Sequence, residues 1–169
     1  MGGRVALEAI RQSPSRVCGL ALLNTGVHPR REGEVESRGA LVKLARENGM
    51  AALAAAWLPP MMGASPARVA EVLPALTAMV TRATPESFAA QVHALLHRPD
   101  AASVLPSILV PTVLASGRND RWSPLAQHEE MQGRIADSHL VAIEDAGHMA
   151  PVEQPDAVAA ALRRWLADL

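Results

Sequence analysis

Two residues of this sequence are suited to moving a proton together. Asp120 and His148 each lie in a short loop segment, Ser116–Asp120 and Glu144–His148, that follows an apolar run. A carboxylate bonded to one nitrogen of an imidazole fixes its tautomer and leaves the other nitrogen free as a general base. Taken singly, the aspartate is a typical turn or helix-cap residue and the histidine a loop residue without a partner. Taken together, they indicate acid–base chemistry if the fold brings them into contact.

Three apolar runs predict the strands that would position this pair: Val17–Leu23, Ile108–Ala115 and His139–Ile143. Helical patterns separate them, with an opening helix from Gly3 to about Ser13 and another from about Pro124 to Ile135, and an amphipathic helix closes the chain. This alternation predicts an α/β fold with about three parallel strands and flanking helices. Because the carboxyl ends of parallel strands open on one edge, the pair should meet there.

The region from about Arg30 to Arg98 shows only helical periodicity, which predicts an all-helical insertion between the first two strands. Helix starts are marked at Ser65-Pro66 and Thr84-Pro85, where a capping residue precedes a proline. Pro74 is expected to kink the first of these helices. Large apolar residues of the insertion either fill an ordinary core or line a pocket above the pair: Trp57, Leu58, Met61, Met62, Met79 and Phe88.

Other side chains fit structural roles better than chemical ones. Ser65 lies in a segment that imitates Gly-x-Ser-x-Gly, but no strand precedes it and the following proline marks it as a helix cap. Ser116 and Ser123 do not lie at a strand-to-helix turn. His93 and His97 are spaced as a pair on a predicted helix, without a third metal ligand. We therefore expect no metal and no cofactor.

Composition excludes several classes of protein. The chain has 169 residues, of which 49% are hydrophobic and 20% charged, as in a packed domain. A net charge of -1, with three tryptophans, one phenylalanine and no tyrosine, argues against nucleic-acid binding. Neither a membrane span nor a targeting segment is visible, so a cytoplasmic protein is expected. The single cysteine, Cys18, falls in the first predicted strand and is expected to be a buried core thiol.

Two segments resemble the last third of an α/β-hydrolase. The first is Val110–Gly117 followed by Asp120, and the second is Ala146-Gly147-His148 followed by Glu153. In addition, Met1-Gly2-Gly3 resembles the end of the nucleophile elbow Gly-x-Ser-Met-Gly-Gly, a sharp strand-to-helix turn that exposes a serine. The resemblance covers essentially the whole chain.

The resemblance implies a division of the chain into three parts. Residues 1–29 and 100–169 would belong to the hydrolase core, and residues 30–99 would form a helical cap. Within the core, Asp120 would be the acid and His148 the base of a Ser-His-Asp triad.

The resemblance also implies where the nucleophile lies. The attacking serine would be the residue immediately before Met1, and Met1 would occupy the position that supplies a backbone N–H to the oxyanion hole. We therefore expect a truncated serine hydrolase that is inactive by itself. The complete protein would cleave an ester, a lactone or a carbon–carbon bond in a small or medium apolar acyl substrate.

Two alternatives remain at this point. The chain could be a non-catalytic, hydrolase-like remnant that binds a ligand or a partner protein, or a separate polypeptide could supply the missing half. The resemblance also implies that the first strand pairs with the strand leading into the elbow, so the isolated chain would have an unpaired apolar edge, which favours self-association.

Overall fold

The computed structural model describes all 169 residues, Met1–Leu169. The helices are α1 (Gly2–Gln12), α2 (Glu34–Trp57), α3 (Pro66–Thr81), α4 (Pro85–Leu96), α5 (Leu125–Gln132), α6 (Ala150–Glu153) and α7 (Pro155–Ala167). The strands are β1 (Leu20–Leu23), β2 (Thr112–Gly117) and β3 (Ser138–Ile143). Short 3-10 turns lie at Pro14–Arg16, Pro59–Met61 and Ala102–Ser107. None of the helices combines the length with the apolar composition that a bilayer crossing demands.

The three strands form one parallel sheet in the order β1-β2-β3, which confirms the predicted α/β fold class. The register pairs Leu22 with Leu114, and Leu114 in turn with Leu140. Every residue of the central strand β2 is buried, as expected where helices cover both faces of a parallel sheet. Since β2 and β3 are parallel neighbours, their ends at Gly117 and Ile143 lie side by side.

Apolar clusters cover both faces of the sheet. On one face, α1, α5 and the 3-10 turn after α4 pack against β1 and β2, and on the other face α6 and α7 pack against β3. Successive side chains of a strand point to opposite faces, so Leu22 belongs to the first cluster and Leu23 packs against the second. Packing on both faces of the sheet thus fixes the positions of the carboxyl ends of the strands.

The helical region between β1 and β2 has an apolar cluster of its own, built by α2, α3 and α4. The helices α3 and α4 begin at the two predicted proline positions. At the start of α4, Thr84 Oγ1 accepts a hydrogen bond from the Ser87 backbone N–H, and Ser87 Oγ accepts one from the Thr84 N–H. This reciprocal capping box explains why the helix begins there.

The helical backbone is interrupted at a glycine and not at the proline that we expected to kink a helix. Helix α3 runs without a break through Pro74. In α2, by contrast, Gly49 has φ 82° and ψ 172°, outside the helical region. Glycine adopts positive φ without the steric cost that a Cβ brings, so two helical stretches join at this residue.

Two of the three strands begin later along the chain than predicted, whereas β3 begins at Ser138, one residue before the predicted start. β1 begins at Leu20 instead of Val17, and β2 begins at Thr112 instead of Ile108. Ile108 is fully buried in the core although it belongs to no strand. Pro111, just before β2, has no N–H to donate to a neighbouring strand. An apolar run therefore predicts which residues are buried, but buried residues extend beyond those that form the sheet.

The prediction that Cys18 is a buried core thiol is wrong. Cys18 is exposed and lies before β1, in the connection that follows the turn at Pro14–Arg16. The strand starts only at Leu20, so Cys18 lies outside it and is not buried together with the apolar residues that follow.

Candidate functional site

Asp120 and His148 lie next to each other at the carboxyl edge of the sheet. Asp120 is in the loop after β2 and His148 is in the loop after β3. Asp120 Oδ2 and His148 Nδ1 are 2.9 Å apart, which is a hydrogen-bonding distance. The Asp120 side chain is fully buried, whereas 25% of the His148 side chain is exposed. The structure therefore brings together the two residues whose strand-end positions suggested a pair.

Hydrogen-bond donors surround the Asp120 carboxylate. Its Oδ1 accepts bonds from the backbone N–H groups of Trp122 and Ser123, at 2.8 and 2.9 Å. Its Oδ2 accepts a second bond, from Asn24 Nδ2, at 2.9 Å. Burial raises the pKa of Asp120, but the hydrogen bonds from His148, Asn24 and Ser123 outweigh burial and leave its pKa below the ordinary value. Asp120 is thus an ionised carboxylate at neutral pH.

His148 is held at both its backbone and its ring. The backbone N–H donates to the carbonyl oxygen of Met61 at 2.8 Å. The ring bonds to Asp120 alone, through Nδ1, and no hydroxyl or thiol of the chain hydrogen-bonds to Nε2. A neutral imidazole that donates from Nδ1 keeps a lone pair on Nε2. This arrangement can take up a proton at Nε2 while Asp120 stabilises the resulting positive charge.

Glu153, which the sequence placed only within a motif, is a fully buried anchor of the histidine loop. Its Oε2 accepts hydrogen bonds from the backbone N–H groups of Gly63 and Ala64, at 2.7 and 2.6 Å. Its Oε1 accepts bonds from Gly147 and Met149, at 2.9 and 3.2 Å. One carboxylate therefore ties the residues on either side of the histidine to the segment before α3.

Gly147 permits the close approach of these two segments. A Cβ at Gly147 would overlap backbone atoms of Met61 and Gly63. Any side chain there would separate the two segments and displace His148, whose N–H bonds to the same Met61 carbonyl.

Asn24 is a second site residue, and the sequence analysis did not single it out. It follows β1 and has φ 47°, in the left-handed region that asparagine tolerates better than most residues. Its Nδ2 donates to Asp120 Oδ2 at 2.9 Å and to the Gly147 carbonyl oxygen at 3.0 Å. Asn24 follows β1 and His148 follows β3, and both bond to the carboxylate of Asp120, which follows β2.

A cavity of about 740 Å³ lies over this edge of the sheet. Met1, Asn24 and His148 line it on the sheet side, and α2 and α4 contribute the opposite wall. Five of the six apolar residues considered as lining do contribute to it: Trp57, Leu58, Met61, Met79 and Phe88. The sixth, Met62, packs against the cluster of α2, α3 and α4 instead. The volume suits a small or medium ligand.

The cavity wall includes a shielded network of ion pairs. Arg98 donates two parallel hydrogen bonds to Glu34, from Nη1 to Oε1 at 2.9 Å and from Nη2 to Oε2 at 2.6 Å. Arg38 Nε donates to the same carboxylate at 2.7 Å. The three side chains are only 13 to 19% exposed. Burial raises the pKa of Glu34, but the bonds from Arg98, the Arg31 backbone N–H and Arg38 lower it to about 2. The network ties the start of α2 to the chain that follows α4.

His128 is a fully buried residue with a structural role. Its Nε2 accepts a hydrogen bond from the Thr25 backbone N–H at 3.2 Å, and its Nδ1 lies 3.2 Å from the Pro124 carbonyl oxygen. Both contacts fit the neutral ring, with the proton on Nδ1 and a lone pair on Nε2. Burial lowers the pKa of His128 below its ordinary value.

We expect the free energy of unfolding to decrease as the pH falls below 6.5, the ordinary pKa of this side chain. The pKa of His128 is lower in the folded state, so the unfolded state binds the proton first and is stabilised by it. The contribution of His128 to the free energy of unfolding is complete above the pKa of the unfolded state. As the pH falls below that value, this contribution is lost at up to about 1.4 kcal/mol per pH unit. Urea unfolding as a function of pH measures it. His128→Gln should flatten the profile, the exposed-site control His93→Gln should not, and an unchanged slope in His128→Gln would contradict the prediction.

The other candidate side chains take no part in the acid–base pair. Ser65 directly precedes α3 as its N-cap residue. Ser116 Oγ is committed to backbone carbonyl oxygens, including that of Ser123 at 3.1 Å. The rings of His93 and His97 stack with centroids 4.0 Å apart, and no three potential metal ligands of the chain come together.

Known proteins share this fold and sequence pattern. The model of the alpha/beta hydrolase family matches residues 1–161. No curated protein matches the chain. A thermophilic esterase from Thermogutta terrifontis, solved with malate bound, is similar with a TM-score of 0.90 and 32% identity over 99% of this chain and 62% of that one. The enol-lactonase from Burkholderia xenovorans LB400 is similar with a TM-score of 0.86 and 28% identity, over 99% of this chain and 63% of that one.

A third structure shows the same fold at lower identity. The esterase EaEST from Exiguobacterium antarcticum has a TM-score of 0.82 and 20% identity, over 98% of this chain and 63% of that one. The chain thus spans less than two thirds of the length of these three structures. Since the family match extends over nearly all of its residues, the chain belongs to the alpha/beta hydrolase family.

Proposed function

We propose that this chain carries the acid and the base of a serine hydrolase, with Asp120 as the acid and His148 as the base. The observation that carries the proposal is the 2.9 Å bond between Asp120 Oδ2 and His148 Nδ1, beside a cavity that His148 lines. The similarity to an esterase and an enol-lactonase supports the reaction class. The bond cleaved is an ester, a lactone or a carbon–carbon bond of a small or medium substrate.

For an ester, the proposed reaction has two steps. A serine hydroxyl attacks the substrate carbonyl carbon while His148 Nε2 takes the hydroxyl proton, and the charge of Asp120 stabilises the imidazolium that results. The tetrahedral intermediate then collapses, and His148 gives the proton to the departing alcohol. In the second step His148 takes a proton from a water molecule that attacks the acyl carbon, and it returns this proton to the serine oxygen as the acid departs.

The nucleophile of the proposal is a serine joined directly to Met1 in a longer polypeptide. Met1 lies at the start of α1 and lines the cavity together with His148, which supports this placement. In that polypeptide the backbone N–H of Met1 would donate to the oxyanion. The 169-residue chain without the serine would be inactive.

We further assign residues 30–99 as a cap over a core formed by residues 1–29 and 100–169. The separate apolar cluster of α2, α3 and α4 and the cavity-lining positions of Trp57 and Phe88 support this division. In the core, β1 is bonded to β2 alone. Its free edge is proposed to pair with a strand of the upstream segment or, without that segment, with a second copy of the chain.

The test compares the 169-residue chain with a longer version that includes the serine before Met1. A fluorophosphonate probe should label the longer protein, which should also hydrolyse 4-nitrophenyl butyrate, whereas the 169-residue chain should do neither. His148→Ala in the longer protein should abolish hydrolysis. Labelling of the 169-residue chain, or a longer protein inert towards both reagents, would overturn the proposal.

A further inference from the structure

Arg38 presents a largely uncommitted guanidinium group to the cavity. Its Nε donates to Glu34 Oε1 at 2.7 Å, but neither Nη group has an acceptor in the protein. The side chain is only 19% exposed, but its Nη atoms remain accessible to solvent and so to a ligand in the cavity. With Nε engaged, the edge formed by Nη1 and Nη2 remains free, and this edge matches the two oxygens of a carboxylate.

The wall of the cavity carries an excess of positive charge. Its arginines are Arg4, Arg31, Arg38, Arg98 and Arg121, and its carboxylates are Glu32 and Glu34. Glu34 is already engaged by two parallel bonds from Arg98. Burial and the positive charge of Arg98 lower the pKa of Arg4 to about 10. An anion that enters this cavity therefore meets a favourable potential.

Among these arginines, Arg38 is the best placed to bind a ligand. Arg98 uses Nε and both Nη groups on protein acceptors, and both Nη groups of Arg4 donate to backbone carbonyl oxygens. Arg31 and Arg121 are exposed, so water competes for their donors. The Arg38 side chain is mostly buried and its Nη groups have no protein acceptor, and partial burial strengthens a charge-assisted hydrogen bond.

We propose that the substrate carries a carboxylate at a distance from its reacting carbonyl, and that Arg38 binds this carboxylate through Nη1 and Nη2. The substrate class is a monoester of a small dicarboxylic acid or a lactone that bears a carboxylate. This inference rests on the proposed function, which places the reacting carbonyl at His148. The Glu34 bond to Arg38 Nε holds the guanidinium in the cavity wall and leaves its Nη edge without a protein acceptor.

The test measures binding to the 169-residue chain and so does not require turnover. Monomethyl succinate and dimethyl succinate, which differ in one charged carboxylate, are titrated by isothermal titration calorimetry. The anion should bind about tenfold to a hundredfold more tightly, and this preference should decrease as salt is added. Arg38→Gln should abolish the preference, and Arg38→Lys, which keeps the charge without the paired donors, should retain part of it. Arg46→Gln, the same charge change at an exposed position of α2, should leave it intact.

Thermal unfolding of each variant verifies that it is folded, since Arg38 also contacts Glu34. Arg38→Lys preserves an ion-pair partner for Glu34 and serves as the test if Arg38→Gln does not fold. Equal affinity for the two esters, no binding of either at millimolar concentration, or an unchanged preference in both Arg38 variants would overturn the inference. A longer, serine-containing protein that is inert towards esters, with the anion preference intact, would overturn only the proposed hydrolysis.

Discussion

Asp120→Asn is expected to lower kcat for ester hydrolysis about 10³- to 10⁴-fold in the serine-containing protein. The asparagine has no orientation that satisfies its neighbours. With its NH₂ group at the Oδ2 position it faces two donors, His148 Nδ1–H and Asn24 Nδ2. With the amide reversed, the NH₂ group faces the backbone N–H groups of Trp122 and Ser123. In both cases the imidazolium also loses its compensating negative charge.

The measurement is the hydrolysis of 4-nitrophenyl butyrate at saturating concentration. Asp137→Asn makes the same chemical change at an exposed residue whose side chain forms no hydrogen bond, and should leave kcat unchanged. Circular dichroism confirms that both variants are folded. If kcat of Asp120→Asn stayed within about tenfold of the parent value, Asp120 would have no role in the reaction, because even one oriented acid–base group contributes more than that factor.

Glu153→Ala is expected to lower the free energy of unfolding by about 3–4 kcal/mol. The substitution leaves four backbone N–H groups, those of Gly63, Ala64, Gly147 and Met149, without their acceptor. Each buried unsatisfied donor costs about 1–3 kcal/mol, and water that enters the vacated space recovers part of the total. Glu153→Gln should cost less, because its remaining oxygen still accepts one pair of bonds while its NH₂ group opposes the other pair.

Urea unfolding at neutral pH measures these losses. Glu47→Ala is the matched control, since the Glu47 side chain is 60% exposed and has only a 3.9 Å ion pair with Lys43. Its effect should remain below about 0.5 kcal/mol. In the serine-containing protein, Glu153→Gln should also lower kcat, because the loop that carries His148 loses one of its attachments. A loss below about 1 kcal/mol for Glu153→Ala would show that water satisfies these donors as well as the carboxylate does.

Local patterns predicted the fold class because they are properties of short segments. Strand-length apolar runs identified three strands, and the Thr84-Pro85 pair predicted a helix start that a capping box confirms. Strand boundaries were less accurate. Burial of Ile108 continues outside the sheet, so hydrophobicity did not reveal that β2 begins only at Thr112.

The positions of Asp120 and His148 were predictable for a similar reason. Each follows a strand, and parallel neighbours bring their carboxyl ends to one edge, so their contact requires only the order of the strands. The exposure of Cys18 was not predictable, because it depends on where the pairing of β1 with β2 begins. The Gly49 break in α2 was missed since a single glycine within a helical pattern is compatible with a continuous helix.

By itself, then, the sequence determined the α/β class, the helical insertion and the residues suited to acid–base chemistry. Only the tertiary structure decided which groups hold that pair in place. Asn24 reaches Asp120 across 96 positions of the chain, and Glu153 reaches Gly63 across 90. Such contacts have no local signature, because they depend on how segments converge after packing. The same holds for the position of Arg38, whose Nε donates to Glu34 while its Nη groups stay free beside the cavity.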